Sequence, residues 1–279
     1  MITTDVTTTR QQTAVRLRDA EVRFASRVLW SGVDLDMAAG SFNAILGPNG
    51  IGKSTLLEVL LGLQDLSEGE ATVLGAPAGK QRNRIGYVPQ RKGFDPGLRI
   101  RGVDVVRLGL DGSHWGFPLP GPRNRAARRA VREEIEHVGA SAFAARPVGQ
   151  LSGGEQQRLI IAQAMVRRPD LLLLDEPLDS LDLANQASVA AIVDKVRRDH
   201  GVTVVMVAHD VNPILPYLDQ VVYLANGRAV AGSPAEVITS PTLSDLYGAP
   251  VEVLRASDGR LVVVGAPEPP AIHGDRHAR

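Results

Sequence analysis

One run of residues decides the fold: Gly47-Pro48-Asn49-Gly50-Ile51-Gly52-Lys53-Ser54-Thr55. It fits the Walker A pattern, G-x-x-x-x-G-K-[ST], at every specified position. Residues 41–46 before it predict a short buried strand, and residues 55–61 after it predict a helix. A glycine-rich loop between a strand and a helix leaves backbone N–H groups free at the positive end of the helix dipole. The run therefore predicts a phosphate-binding loop; the alternative is a chance glycine turn before a helix.

Two side chains at the end of this loop suit a bound nucleotide. Lys53 supplies a point charge for the β- and γ-phosphates, and the Ser54 hydroxyl can ligate Mg²⁺. The other positions of the loop that we assign to nucleotide binding are Gly47, Pro48, Asn49, Gly50, Gly52 and Thr55.

Two adjacent acids follow a run of four leucines. Residues 171–174 are all Leu, and Asp175 and Glu176 come directly after them. This pattern is typical of a buried parallel strand that delivers carboxylates to its C-terminal edge. Asp175 can hold Mg²⁺ through water, and Glu176 can take a proton from an attacking water. The alternative is a solvated strand end.

Two other predicted strands also end in polar side chains. Residues 85–90 end at Gln90, which could reach a metal-bound water or could only cap a turn. Residues 202–208 form a strand that leads to His209, and this side chain could reach a γ-phosphate or could be structural. We predict no function for the remaining histidines, which are His114, His137, His200, His273 and His277.

The octet LSGGEQQR, residues 151–158, opens a predicted helix that runs toward Pro169. Ser152 is a good N-cap and Glu155 stands three residues later, so a capping box explains part of the pattern. Gly153 and Gly154 weaken a helix. They make sense where backbone must approach something closely, such as another phosphate.

The beginning of the chain alternates polar and apolar residues. Residues 15–18 and 21–24 predict two antiparallel strands with one solvated face. Phe24 ends the second segment and could stack on a purine base or could be an ordinary core aromatic. Further along, residues 125–138 predict an amphipathic helix with an arginine face, which either touches an acidic partner or is solvated and paired with Glu133 and Glu136.

Composition limits the classes of function. The chain has 279 residues, with 31 Lys+Arg against 31 Asp+Glu, so no overall field favours nucleic acid or an anionic membrane. It has no Cys, which excludes disulfides and fits a reducing cytosol. No apolar run is long enough to span a bilayer. We expect residues 1–13 to be a disordered lead-in without a secretion signal, and residues 265–279 to be a disordered tail.

Together these motifs resemble the ATP-binding-cassette (ABC) ATPases over residues 15–264. The Walker A run, Gln90, the octet, the leucine run with its acids, Asp182 and His209 occur in the family's order, and the octet is the family's signature. The resemblance implies an α/β P-loop NTPase fold in one ABC ATPase domain, residues 14–264. It further implies an antiparallel β subdomain and a helical subdomain inserted at about residues 91–169.

The resemblance also implies roles for individual residues. It implies a head-to-tail homodimer that holds two ATP molecules with Mg²⁺, each between one subunit's Walker A and the other's signature. Gln90 and His209 would act with Glu176, the general base. The residues implied to contact nucleotide or the second subunit are Phe24, Ser152, Gly153, Gly154 and Asp182. ATP binding would close the dimer, and hydrolysis would reopen it.

Three segments near the C-terminus are similar to ATPases of zinc, manganese and iron importers: residues 209–216, 243–248 and 250–253. This similarity implies a membrane permease, an extracytoplasmic substrate-binding protein, no nucleic acid partner, and a position on the cytoplasmic face of the membrane. We expect residues 91–122 to contact the permease. The alternatives are an importer of an iron chelate or another small solute, an exporter subunit, and a soluble ABC ATPase acting on ribosomes or DNA.

The sequence predicts no site for the cargo metal within the chain. Cys is absent, and the only spare histidines near one another in sequence are His273 and His277, in the predicted disordered tail. Selectivity for cargo would then lie in the permease and the substrate-binding protein.

Overall fold

The computed structural model describes residues 12–25, 27–90, 93–111 and 121–265. Most of the predicted lead-in and tail lies outside these residues, as do His114, His273 and His277. Thr13, the last residue of the predicted lead-in, already belongs to the first strand. Among the described residues, no helix combines the length and the apolar character that crossing a membrane requires.

The described strands, in chain order, are β1 (Thr13–Phe24), β2 (Arg27–Ala38), β3 (Phe42–Leu46), β4 (Glu68–Val73), β5 (Ala76–Pro77), β6 (Ile85–Val88), β7 (Leu171–Asp175), β8 (Thr203–Val207), β9 (Gln220–Ala225), β10 (Arg228–Gly232), β11 (Glu252–Arg255) and β12 (Leu261–Val264). The described α-helices are α1 (Lys53–Leu61), α2 (Gly102–Asp111), α3 (Pro122–His137), α4 (Gly153–Met165), α5 (Leu183–His200), α6 (Pro234–Val237) and α7 (Ser240–Tyr247).

A mixed sheet forms the centre of the molecule, in the order β10-β9-β3-β8-β7-β6. Its strands from β9 to β6 are parallel, and β10 returns antiparallel to β9. Strands β3, β7 and β8 are buried at every residue. Since parallel strands end at the same edge, this sheet brings the segments after β3, β6, β7 and β8 together.

Both faces of the central sheet are covered, which explains the uninterrupted leucine run. Leu171 and Leu173 pack with α1 and the antiparallel strands, whereas Leu172 and Leu174 pack with the core that contains α4 and α5. Successive side chains of a strand point to opposite faces, so a strand buried on both sides is apolar throughout. The prediction of a buried parallel strand is confirmed.

A smaller antiparallel sheet, in the order β2-β1-β4-β5, covers one of these faces. The prediction that residues 15–18 and 21–24 are two strands paired with each other is wrong, because both belong to β1, which pairs with β2 and β4. Between Leu17 and Ala20 the register shifts, and Asp19 has a φ of 44°. A β-bulge adds a residue without ending the strand, so the break in alternation does not mark a turn.

Helices α2 and α3 lie between β6 and β7 in the chain and pack on α4. The helix predicted at residues 125–138 corresponds to α3. Arg129 on the exposed face of α3 pairs with Glu133 at 2.7 Å, which is the solvated i,i+4 pairing that the sequence favoured. Strands β9 and β10 form one antiparallel hairpin, and β11 and β12 form another.

Candidate nucleotide-hydrolysing site

The glycine-rich loop joins β3 to α1 at the carboxyl edge of the central sheet. Gly47 has a φ of 140°, and a side chain there would collide with the carbonyl oxygen of Leu224 on β9. Gly52 is the N-cap of α1 with a φ of 99°, and a Cβ there would lie 3.0 Å from Trp30 Nε1. Only Gly adopts a positive φ and also leaves room for such close neighbours at low cost, so the loop conformation depends on Gly47 and Gly52.

Lys53 lies beneath the loop and holds its shape. Its Nζ donates to the carbonyl oxygens of Gly47 at 2.9 Å and Pro48 at 3.0 Å, and the side chain is buried. Burial lowers the pKa of Lys53, and the carboxylates of Glu176 and Asp175 oppose that shift. A buried cation therefore lies at the helix end where phosphate is predicted to bind.

Ser54 and Asp175 meet although they come from different segments of the chain. The Ser54 hydroxyl donates to Asp175 Oδ1 at 3.0 Å. Burial raises the pKa of Asp175, and the hydrogen bond from Ser54 and the charge of Lys53 act in the opposite direction. Hydroxyl and carboxylate oxygens are the ligands that Mg²⁺ prefers, so this pair fits the predicted metal position.

Glu176 lies at the centre of the polar residues at this edge. His209 Nε2 is 2.7 Å from Glu176 Oε1, and the Gln90 amide donates to Glu176 Oε2. Burial raises the pKa of Glu176, while the charge of His209 and its hydrogen bond to the carboxylate lower it in part. Glu176 also has a φ of 49°, a conformation that side-chain-bearing residues rarely adopt and that is common at functional sites.

Two adjoining cavities share Glu176. The first, of about 210 Å³, is lined by Leu29, Asn49, Gly50, Gly52, Lys53, Ser54, Thr55 and Glu176. The second, of about 130 Å³, includes Glu176, Asp179 and His209. A larger cavity of about 430 Å³ lies between the end of α1 and β4–β5, but none of the predicted site residues lines it. We therefore assign the chemistry to the two smaller cavities.

Other predicted site residues lie apart from these cavities. Phe24 is 46% exposed at the end of β1, opposite Arg27 on β2. Ser152 caps α4, and Asp182 caps α5. Within the described part of the chain, none of these side chains, nor Gly153 or Gly154, lines either cavity. One copy of the chain therefore brings together only part of the predicted site.

Gly154 has a packing role inside the chain. A Cβ there would lie 2.5 Å from Asn185 Oδ1, and the Asn185 amide donates to Asp182 at 2.7 Å. A capping box between Ser152 and Glu155 is also present. The sequence predicted that the backbone at Gly154 approaches a phosphate. Within one chain, this backbone instead approaches the first turn of α5. Beyond its chain neighbours, a Cβ at Gly153 would approach only Leu181 among the described residues, at 3.1 Å.

Gly154→Ala is expected to lower the free energy of unfolding by about 1–3 kcal/mol, because the methyl group displaces Asn185 from its hydrogen bond with Asp182. Gly153→Ala is the matched control, with an expected change below about 1 kcal/mol, since Ala favours a helix and the neighbouring Leu181 is a flexible side chain. Chemical denaturation of both variants without nucleotide measures the difference. Equal losses of stability would contradict this role of Gly154.

Sequence reasoning missed two groups of residues. Asp179 Oδ2 lies 3.6 Å from His209 Nε2, and the sequence motifs gave Asp179 no role. Glu134, His137 and His200, which sequence reasoning did not group together, place possible ligand atoms within 4.8 Å of one another. The Glu-x-x-His spacing on α3 was a local signal for two of these three. Nothing local indicated His200.

Comparisons with known proteins agree with this geometry. The ABC transporter family model matches residues 30–179. The chain is 38% identical over 237 residues to the zinc transport system ATP-binding protein TroB of Treponema pallidum (strain Nichols), covering 84% of this chain and 87% of that protein. It is 34% identical over 239 residues to the manganese transport system ATP-binding protein MntB of Listeria innocua serovar 6a, and the match covers 85% of this chain and 98% of that protein.

A solved structure shows the same fold. It is an ATP-binding cassette in a dimeric, post-hydrolysis state bound to ADP and Pi; the TM-score is 0.64 at 27% identity, covering 78% of this chain and 98% of that chain. The resemblance drawn from the motifs is thus confirmed at the level of both sequence and fold. The chain belongs to the ABC transporter family.

Proposed function

We propose that this chain is the ATP-hydrolysing subunit of a membrane importer for divalent metal ions, with zinc or manganese as the cargo. The observation that carries the enzymatic part is the contact of Glu176 with both His209 and Gln90, directly beside the glycine-rich loop. The cargo is supported by the names of the relatives, which belong to zinc and manganese transport systems.

The loop and Lys53 bind the phosphates of ATP. Backbone N–H groups at the start of α1 and the Lys53 ammonium act on the β- and γ-phosphates. Ser54, Asp175 and Gln90 would hold Mg²⁺, which neutralises charge that develops on the phosphates. Positioning and charge supply most of the catalysis in phosphoryl transfer, so a rigid loop under a buried lysine suits the reaction.

Glu176 is the general base in this proposal. Its carboxylate accepts a proton from the water that attacks the γ-phosphate, and its raised pKa improves the driving force for that transfer. The 2.7 Å contact with His209 and the amide of Gln90 hold the carboxylate at the wall shared by the two cavities. His209 and Gln90 thereby orient the base.

A second copy of the chain completes each site. Ser152, Gly153, Gly154 and Asp182 do not line the cavities within one chain, and Leu183, next to Asp182, is 72% exposed. A head-to-tail homodimer would bring these residues, and an apolar contact at Leu183, to the partner's ATP. ATP binding then closes the dimer and hydrolysis reopens it, which is a two-state element able to drive a permease.

The permease contact is proposed at residues 91–122, of which the structure describes residues 93–111 and 121–122. This segment leaves the sheet beyond Gln90 and exposes Ile100 and Leu108, at 43% and 51%. Because Gln90 donates to Glu176, movement of the segment would reach the proposed base directly. An extracytoplasmic substrate-binding protein would deliver the ion, and the chain would lie on the cytoplasmic face of the membrane, held there by the permease.

Deleting the gene and measuring cellular zinc, manganese and iron tests the cargo. We expect zinc or manganese to fall and to recover with the wild-type chain but not with Glu176→Gln, because transport needs hydrolysis. A fall in iron alone would instead favour an iron-chelate importer. Unchanged uptake of all three metals would contradict the proposed cargo while leaving ATP hydrolysis by the purified protein as a separate measurement.

A further inference from the structure

A second cluster of ligand-type side chains lies away from the nucleotide site. Glu134 and His137 are three residues apart near the end of α3, and His200 is the last residue of α5. Glu134 Oε2 lies 3.6 Å from His137 Nδ1 and 3.7 Å from His200 Nε2. The two imidazole rings meet edge to face, with centroids 4.8 Å apart. The cluster thus joins two helices that are distant in sequence.

The polar atoms of this cluster are buried without hydrogen bonds. Glu134 is 1% exposed, and Glu134 Oε2, His137 Nδ1 and His200 Nε2 have no hydrogen-bond partner among the described residues. An unpaired polar atom in the interior costs about 1–3 kcal/mol, and native proteins rarely leave several together. Three such atoms directed at one another therefore indicate a common partner.

The spacing of these atoms fits a metal ion better than it fits hydrogen bonds. Separations of 3.6 and 3.7 Å exceed hydrogen-bonding distance. Tetrahedral Zn²⁺, with bonds of about 2.0–2.1 Å to nitrogen and oxygen, separates its ligand atoms by about 3.3–3.4 Å. The two separations from Glu134 need to shorten by only a few tenths of an ångström to reach that spacing. The two imidazole nitrogens, which lie within 4.8 Å of each other, would reach it by rotation of their side chains.

We propose that Glu134, His137 and His200 form a Zn²⁺ site that ties α3 to the C-terminal end of α5. Two imidazoles and one carboxylate are a ligand set typical of zinc, and a water would complete four-coordination. The proposal rests on these side chains alone and holds whatever ion the transporter carries.

The charges around the cluster are compatible with a bound cation. The charged side chains that act on the cluster from neighbouring positions are Arg168, Glu133, Asp199 and Lys195. Arg168 is the nearby charge that opposes a cation, and it is engaged with Glu133 at 3.1 Å. Asp199 adds negative charge near His200, while Lys195, which pairs with it at 2.9 Å, offsets that charge.

The proposed zinc site lies at the opposite end of α5 from the predicted dimer contact. Asp182 caps the start of α5 and His200 is its last residue, so the 18 residues of the helix place the zinc site about 27 Å from Asp182, which is proposed to reach the partner subunit. Both α3 and α5 pack on α4, the helix that starts with the signature glycines. Bound zinc would therefore fix the helical segment between β6 and β7 against α5 without touching the nucleotide.

Titration of metal-free, full-length protein with Zn²⁺ in competition with a chromophoric chelator tests the site. Glu134→Gln keeps the size of the side chain, and His200→Asn replaces the imidazole with a smaller polar group. Each is expected to weaken Zn²⁺ binding at least 10–100-fold, since even changes to residues behind a ligand cost about that much. Mn²⁺, which comes low in the order of affinities for such ligands, should bind more weakly to the wild-type protein.

Two matched controls remove the other histidines that could bind zinc. His209→Asn changes the second cluster of Glu176, Asp179 and His209, and the double variant His273→Ala/His277→Ala changes the tail. Both controls should retain the Zn²⁺ affinity of the site. The proposal is overturned if Glu134→Gln and His200→Asn bind Zn²⁺ as tightly as wild type, or if only a control loses binding.

A stability measurement and a spectrum guard against misfolded variants. Zn²⁺ should raise the Tm of wild type and of both controls by several degrees, since a ligand that binds only the folded state stabilises it, and should leave the Tm of Glu134→Gln and His200→Asn unchanged. X-ray absorption at the zinc edge of wild type should show imidazole ligands. A zinc environment without imidazole would contradict the assignment even if every variant folded.

Discussion

Replacing Glu176 with Gln is expected to lower the turnover of ATP about 10²–10⁴-fold, the usual contribution of a general base. The amide has the shape of the carboxylate but cannot accept a proton from water. Because the side chain keeps its size, the cavity lined by Lys53, Ser54 and Glu176 should still take ATP with nearly unchanged affinity. Turnover and the Kd for ATP, measured on the same preparation, give the result.

The same variant also tests the shared sites. A dimer that closes on ATP and opens on hydrolysis should persist in Glu176→Gln with ATP and separate in wild type, which light scattering can follow. Glu58→Gln is the matched control, since it makes the same chemical change on the exposed face of α1. Normal turnover by Glu176→Gln would show that another group is the base.

Lys53→Ala is expected to act on binding rather than on the chemical step alone. A charged hydrogen bond is worth about 1.5–3 kcal/mol, so losing the ammonium should weaken ATP binding roughly 10–100-fold. The substitution also removes the hydrogen bonds to the carbonyls of Gly47 and Pro48, which should loosen the loop. Calorimetric titration with Mg-ATP measures the affinity.

Lys80→Ala provides the control for Lys53→Ala, because Lys80 is exposed and lies outside both site cavities. It should bind ATP like wild type. Glu176→Gln and Lys53→Ala should therefore separate two functions, because the first loses turnover and the second loses affinity for ATP. An unchanged Kd in Lys53→Ala would mean that the backbone of the loop carries phosphate binding without the lysine.

Local patterns predicted the elements that carry the site. The glycines of the loop could be recognised from the sequence because a positive φ and close packing at Gly47 and Gly52 exclude side chains there. The leucine run was readable as a parallel strand because a sheet covered on both faces leaves no polar position. The resemblance implied that Gln90 and His209 act with Glu176, and in the structure both side chains contact Glu176.

Features that depend on distant segments were not readable. Strand β1 continues through the bulge at Asp19 because β2 and β4 pair with it on either side. The pattern of polar and apolar residues within β1 does not show which strands pair with it. The absence of a side chain at Gly154 leaves room for Asn185 on α5, whereas the sequence around Gly154 suggested only that its backbone approaches a phosphate.

By itself, the sequence determined the phosphate loop, the strands that end in its acids and polar side chains, and the family, because backbone geometry and hydrophobic periodicity act over a few neighbouring residues. Only the tertiary structure decided which of these side chains meet, and it brought His200 to Glu134 and His137 at the ends of two different helices. The physical reason is that contact between distant residues depends on how packed helices and strands lie in space, which no spacing along the chain records.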